Sequence, residues 1–201
     1  EFSSATALRQ TISNGDFTNL VEQVPSDCMT LLEAHYKTRY PIFTNDFSLL
    51  LKYRLLNESK LSLTHYADVS EELANRIYNQ RNEYIDFEQF CELLKTKEVT
   101  YSRISRALLH ILLGIKKNDY ADIQYARALG FRKDDSDVLT VIKNASAIPL
   151  LTKLTATKDL SDSTVQMLDQ DICASNLYES VVTDKLKTPY INEYEHQIII
   201  I

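Results

Sequence analysis

Glycine is scarce in this 201-residue chain, limited to Gly15, Gly114 and Gly130, and tryptophan is absent. A sheet-rich domain needs glycine at its turns, so the scarcity shifts the expected fold toward helices. The three cysteines, Cys28, Cys91 and Cys173, lie far apart and show no C-x-x-C spacing. That excludes a disulfide framework, and the three read as buried thiols of a reducing compartment. The four histidines, His35, His65, His110 and His196, have no metal-ligand spacing, so no bound metal is expected. No signal-peptide pattern opens the chain, and no apolar run approaches the ~20 residues of a membrane span. A cytoplasmic protein without a membrane partner is the expectation.

What is present is ordinary for a globular chain: 44% hydrophobic and 25% charged residues, with a net charge of −6. Glu1-Phe2 is the dipeptide a common cloning site encodes and is set apart from the reading. Ser3 onward then starts inside a motif, and the close of the chain reads as a natural terminus. Its four isoleucines, Ile198 to Ile201, are expected to dock as a strand or against apolar surface, since exposed they invite aggregation.

Cap and periodicity signals divide the chain. Ser3-Ser4-Ala5-Thr6 opens a short helix that stops at Asn14-Gly15. Pro25-Ser26-Asp27 opens a second helix, Asn45-Asp46 a third and Ser70-Glu71-Glu72 a fourth. Asp86 opens a fifth, and Thr100 a sixth that runs to Gly114. Beyond residue 117 the pattern changes to a strand (Ile123 to Phe131), a helix (Asp134 to Asn144) and a strand (Ile148 to Lys153), which would pair in parallel. Asp162 to Val182 reads as a final long helix. The expected fold class is therefore mainly α: five to six helices, a small strand-helix-strand subdomain and a C-terminal helix. Residues 16–117 would form the helical domain and 118–201 the α/β subdomain with the tail.

The sixth helix is the most informative segment. Ile104, Leu108, Ile111, Leu112 and Ile115 form one stripe, while Arg103, Arg106 and His110 share the narrow remaining face at i, i+3, i+7. Residues 95–117 hold Lys95, Lys97, Arg103, Arg106, Lys116 and Lys117 against Glu98 alone, a net of +5 within a chain of −6. A basic island in an acidic protein points to a local anionic partner. Arg103 also sits in the first helical turn, where the dipole disfavours a cation and a bound phosphate would relieve it. The competing reading pairs Arg103 and Arg106 with acids such as Glu72, Asp86 or Glu88. A second candidate is Ser4, Thr6 and Arg9, where hydroxyls at a helix start and an arginine on the first turn can cradle phosphate. Arg76, Arg81 and Arg127 read singly as solvated charges. Asp169 and Asp171 form no acid–base pair, and no glycine-rich phosphate loop or nucleophile elbow occurs.

At these residues a family resemblance emerges. Lys95-Thr96-Lys97-x-x-Thr100-Tyr101-Ser102-Arg103-Ile104-x-Arg106-x-Leu108-x-His110 resembles the central signature of the bacterial tRNA(Met) cytidine acetate ligases. Further blocks continue it in order: Asp68-Val69-Ser70-Glu71, Asn75-Arg76-Ile77, Tyr125-x-Arg127-x-Leu129-Gly130-Phe131, Ile148 to Lys153, and Ala174-Ser175-x-x-Tyr178. Two positions depart from the pattern: Glu98 where an arginine is usual, and Glu72 where a glycine is common.

The resemblance implies a nucleotidyltransferase-like α/β domain joined to a helical C-terminal region. It also implies activation of acetate by ATP, with Mg2+, as acetyl-adenylate, followed by acetylation of the wobble cytidine of elongator tRNA(Met) at N4. Related enzymes hold ATP with an H-x-G-H motif, absent from this chain, and an I-S-S-T-x-x-R motif, which Ser4-Ala5-Thr6-x-x-Arg9 resembles. On that basis residues 1–15 would close the nucleotidyltransferase-like domain, with Ser4, Thr6 and Arg9 on the nucleotide. The rest would be the C-terminal region only, partnered by its own N-terminal domain and inactive alone. Lys95, Lys97, Arg103, Arg106, His110 and Arg127 would face tRNA phosphate, with no catalytic residue among them.

Overall fold

A computed structural model describes residues 4–119, 122–155 and 160–201. The first helix, α1 (Ala5–Ser13), starts where the Ser4 hydroxyl accepts the Ala7 amide, and it buries no side chain. Helix α2 (Ser26–His35) follows with Met29 inward. A single 3-10 turn, Thr44–Phe47, leads into α3 (Ser48–Asn57), where the sequence reads as one uninterrupted helix. The four-residue helix α4 (Lys60–Leu63), capped by Ser59, carries no periodicity long enough to announce it in the sequence.

Helices α5 (Glu71–Gln80), α6 (Phe87–Leu94) and α7 (Tyr101–Leu113) begin at Ser70, Asp86 and Thr100, each taking a first-turn amide on its side-chain oxygen. Together with α3 they enclose the main core. Leu51, Leu55, Ile77, Phe87, Phe90, Leu94, Ile104, Leu108 and Ile111 are all buried there. Burying side chains of that size stabilises by ~1.5–3 kcal/mol each before conformational entropy is counted. Helix α7 ends at Gly114 in the left-handed region (φ 78°), a conformation open to glycine at little strain.

Beyond α7 the extended segments are short. The stretch Ile123 to Phe131 is broken at Ala128-Leu129 into β1 (Ala126–Arg127) and β2 (Gly130–Phe131), which belong to different sheets. Strand β1 pairs in parallel with β3 (Leu150–Leu151) across helix α8 (Ser136–Ala145). Strand β2 pairs in parallel with β4 (Ile199–Ile200), so the isoleucine tail docks as a strand while Ile199, Ile200 and Ile201 stay largely exposed. A Cβ on Gly130 would lie 2.9 Å from the Ile199 carbonyl oxygen, so this close pairing requires glycine.

The mainly α class with one strand-helix-strand unit is thus corrected to a helix-rich α/β arrangement with two separate parallel pairs. The second pair could not be read because its partner lies about seventy residues away in sequence. Helix α9 (Asp162–Leu186) packs Leu168 and Ile172 against Leu151 and Leu154 in a smaller core. The cysteines also differ from expectation. Cys91 is buried, its thiol pushed up to about 12 chiefly by burial, but Cys28 and Cys173 are exposed.

Candidate functional site

The α7 stripe is assembled as its spacing implies, with one addition. The Thr100 hydroxyl accepts the Arg103 amide at 3.4 Å, which starts the helix and sets Arg103 in its first turn. Arg103 is exposed, and among the described residues its guanidinium makes no ion pair. One turn on, Arg106 meets Asp68, Nε to Oδ2 at 2.5 Å and Nη2 to Oδ1 at 3.2 Å. Another turn on, His110 Nδ1 lies 3.2 Å from the Ala67 carbonyl oxygen and 3.3 Å from Asp68 Oδ2. Asp68 therefore ties together two of the three residues on this face. Its carboxyl is held below the usual range, first by the Arg106 hydrogen bonds and then, against the effect of burial, by the charges of Arg106, His110 and Arg103.

None of the acids expected to neutralise the arginines does so. Glu72 is exposed on α5, Asp86 caps α6, and Glu88 accepts from Thr44. Asp68 is the residue that sequence reasoning misses. Its signal lies in the Asp68-Val69-Ser70-Glu71 block, an acid two residues before a helix cap.

The lysine loop is a built turn. The Thr96 hydroxyl accepts the amides of Glu98 and Val99 at 3.3 and 3.0 Å, and the Thr96 amide donates to the Val99 carbonyl at 3.2 Å. Lys97 sits exposed on that turn. Lys95 pairs with Glu92 at 2.9 Å, and both side chains are about half exposed, so the pair is screened and weak. Beyond the other end of α7, a cleft of about 510 Å³ is lined by Thr64, His65, Lys116, Lys117 and Asp119. The Asp119 carboxylate accepts the Lys116 backbone amide at 2.8 Å and the Gln170 side chain at 3.3 Å.

Arg127 is not brought to this face by any hydrogen bond or ion pair among the described residues. Its Nη2 meets Glu193 Oε1 at 2.6 Å, with both side chains mostly covered. Ser4, Thr6 and Arg9 form a separate group on α1. Ser4 caps the helix, and Thr6 and Arg9, three residues apart, share an exposed face one turn apart. Among the described residues no cluster of three metal-ligating side chains occurs, and no helix is long and apolar enough to cross a membrane.

The family model described as HIGH Nucleotidyl Transferase matches residues 1–193. The chain belongs to the HIGH nucleotidyl transferase family. Curated relatives are named tRNA(Met) cytidine acetate ligase. That of Thermoanaerobacter sp. (strain X514) is 32% identical over 182 residues, covering 89% of this chain and 45% of its own length. That of Clostridium kluyveri is 35% identical over 185 residues, covering 88% of this chain and 43% of its own. The chain thus spans a little under half the length of these relatives.

Crystal structures of Thermotoga maritima TmcAL share the fold. The form bound with alpha-thio ATP superposes with a TM-score of 0.87 at 22% identity, covering 100% of this chain and 52% of that one. The apo form gives 0.88 at 21% identity. Membership in the HIGH nucleotidyl transferase family covers residues 1–193, so it is not confined to a C-terminal region. The match also replaces the mainly α class with a helix-rich α/β nucleotidyltransferase-like fold, and it removes the ground for a separate N-terminal nucleotidyltransferase-like domain as partner.

Proposed function

We propose that this chain is part of an ATP-dependent tRNA cytidine acetate ligase. The enzyme activates acetate as acetyl-adenylate and acetylates N4 of the wobble cytidine in elongator tRNA(Met). The observation that carries the RNA side is the exposed face of α7. Arg103 has no ion pair there among the described residues, and the Arg106 side chain stays 60% exposed despite its pairing. Lys97 extends the same charge on the turn before the helix, and the names of the relatives supply the RNA.

In this reading residues 1–15 carry the nucleotide contact, 16–117 the RNA-facing helices, and 118–201 a supporting lobe. Ser4, Thr6 and Arg9 meet a phosphate of ATP, accompanied by Mg2+. Lys95, Lys97, Arg103, Arg106 and His110 meet the tRNA backbone. Arg127, engaged by Glu193, acts there as a structural residue instead. Contacts to phosphate position the RNA, and the choice of base comes from elsewhere. Without an H-x-G-H motif the chain alone makes no acetyl-adenylate, and the enzyme works in the cytoplasm.

The test is the Arg103→Ala/Arg106→Ala variant of the full-length ligase. It should stay folded and bind tRNA more weakly, with a log–log salt slope shallower by roughly 0.7–0.9 for each phosphate no longer neutralised. An unchanged slope with a lowered melting temperature would make both residues structural. Arg9→Ala tests the nucleotide side. Acetate-dependent ATP–pyrophosphate exchange should fall about ten- to a hundredfold at sub-saturating ATP, the worth of a charge-assisted hydrogen bond. A normal exchange rate would return Arg9 to the helix surface.

A further inference from the structure

We infer that Asp68 is a positioning residue for phosphate recognition by α7. It fixes the Arg106 guanidinium and the His110 ring side by side, next to Arg103, before RNA arrives. This rests on the RNA-contact reading given above.

The backbone around Asp68 is anchored to the segment just past the end of α7 and to its own turn. The Ala67 amide donates to the Ile115 carbonyl at 3.1 Å, the Val69 amide donates to the Tyr66 carbonyl at 3.3 Å, and both Ala67 and Val69 are buried. Asp68 itself has φ 60°, the left-handed region that Asp and Asn adopt most readily among residues with a side chain. The carboxylate so placed makes a two-point fork with Arg106 and stands 3.3 Å from His110 Nδ1.

One carboxylate holds the Arg106 guanidinium and the His110 ring and leaves the exposed Arg103 beside them without an ion pair among the described residues. An acid beside a phosphate site also repels the ligand, so charge alone gives it no place there. Ordering does. A long arginine side chain loses much rotamer freedom when it binds, and a fork that has already fixed it removes that cost from the binding step.

Simple electrostatics and positioning therefore predict opposite signs for Asp68→Asn. Removing a negative charge beside RNA tightens binding if Asp68 only repels. If Asp68 positions Arg106 and His110, binding weakens despite the gained charge, by roughly three- to tenfold, the cost of immobilising one long side chain at an interface. Asparagine suits the same backbone conformation, and a melting curve checks that the variant folds. Arg106→Lys is the second variant: it keeps the charge and cannot form the fork, so it should weaken binding comparably.

Both are measured in the full-length ligase with tRNA over a salt series, beside Arg103→Ala. In an Arg106→Ala background, Asp68→Asn should add little further loss, because the two act together. Tighter or unchanged binding by Asp68→Asn, with Arg103→Ala weakened, overturns positioning and leaves the RNA contact standing. Positioning is equally overturned if Arg106→Lys binds like the parent. If none of the variants changes tRNA binding, the RNA reading and the positioning role fall together.

Discussion

Arg106 on α7 and Arg127 on β1 each meet a carboxylate, at 2.5 Å from Asp68 and 2.6 Å from Glu193. The Arg127 pair is mostly covered, with side chains 25% and 13% exposed, and the Glu193 amide is held in turn by the Asn176 side chain at 2.8 Å. There the charges cancel and the pair joins the α/β lobe to α9 and the tail. The Arg106 side chain is 60% exposed, and its carboxylate is shared with His110 beside an Arg103 that has no ion pair among the described residues. The same chemistry therefore does two things. An ion pair closes a surface when each charge has one covered partner, and it orders a charged surface when cations outnumber the acid.

The largest effect that can sharpen this comparison lies beneath the arginines. Leu108 is fully buried under the basic face of α7, and Leu108→Ala should cost about 2–5 kcal/mol, read as a fall in melting temperature. On α8, which buries no residue, Ile142→Ala should stay within about 0.5 kcal/mol. Equal losses would mean that the lobe is as firmly packed as the helical region.

Arg127→Ala comes next. It leaves Glu193 covered without its partner and should destabilise by about 1–3 kcal/mol while tRNA affinity and salt slope stay as they were. A shallower slope with a normal melting temperature would move Arg127 to the RNA face and dissolve the contrast. Arg103→Ala should show the reverse pattern: a melting temperature shifted by no more than about 0.5 kcal/mol of stability, and a shallower salt slope.

These contrasts mark what could be read from sequence. The α7 face was legible because helical spacing alone puts Arg103, Arg106 and His110 in line, and Thr100 and Gly114 mark both ends. Asp68 was not, because its contact with Arg106 spans 38 residues and no local periodicity predicts a pairing through a left-handed loop residue. Glu193 is likewise distant from Arg127, so Arg127 reads as a solvated charge and, by resemblance, as an RNA contact. The break of Ile123 to Phe131 into two strands is hidden for the same reason, since each half takes its partner from a different remote segment.

The smallest effect tests whether the Asp68 fork stabilises the fold at all. Asp68 has its carboxyl lowered from the usual 3.8, foremost by the Arg106 hydrogen bonds. A group whose folded pKa is depressed binds fewer protons folded than unfolded between the two values, so stability rises with pH across that window. Its contribution is complete above the unfolded value and is lost as pH falls through the folded one. The melting-temperature gap between the parent and Asp68→Asn should therefore be fully open at about pH 5 and should close on acidification below the usual carboxyl range. Because the Arg106 side chain is 60% exposed, solvent screening keeps that gap small. A gap that persists at the acid end would assign the stabilisation to hydrogen bonding by the uncharged carboxyl, which asparagine, with an NH2 donor in place of one oxygen, does not reproduce. A gap that widens on acidification would reverse the sign and remove the charged fork from the folded state. Closure in the expected window, together with weakened tRNA binding by the same variant at neutral pH, would separate the two roles. The fork would then contribute little to holding the fold and most of its effect to arranging the face.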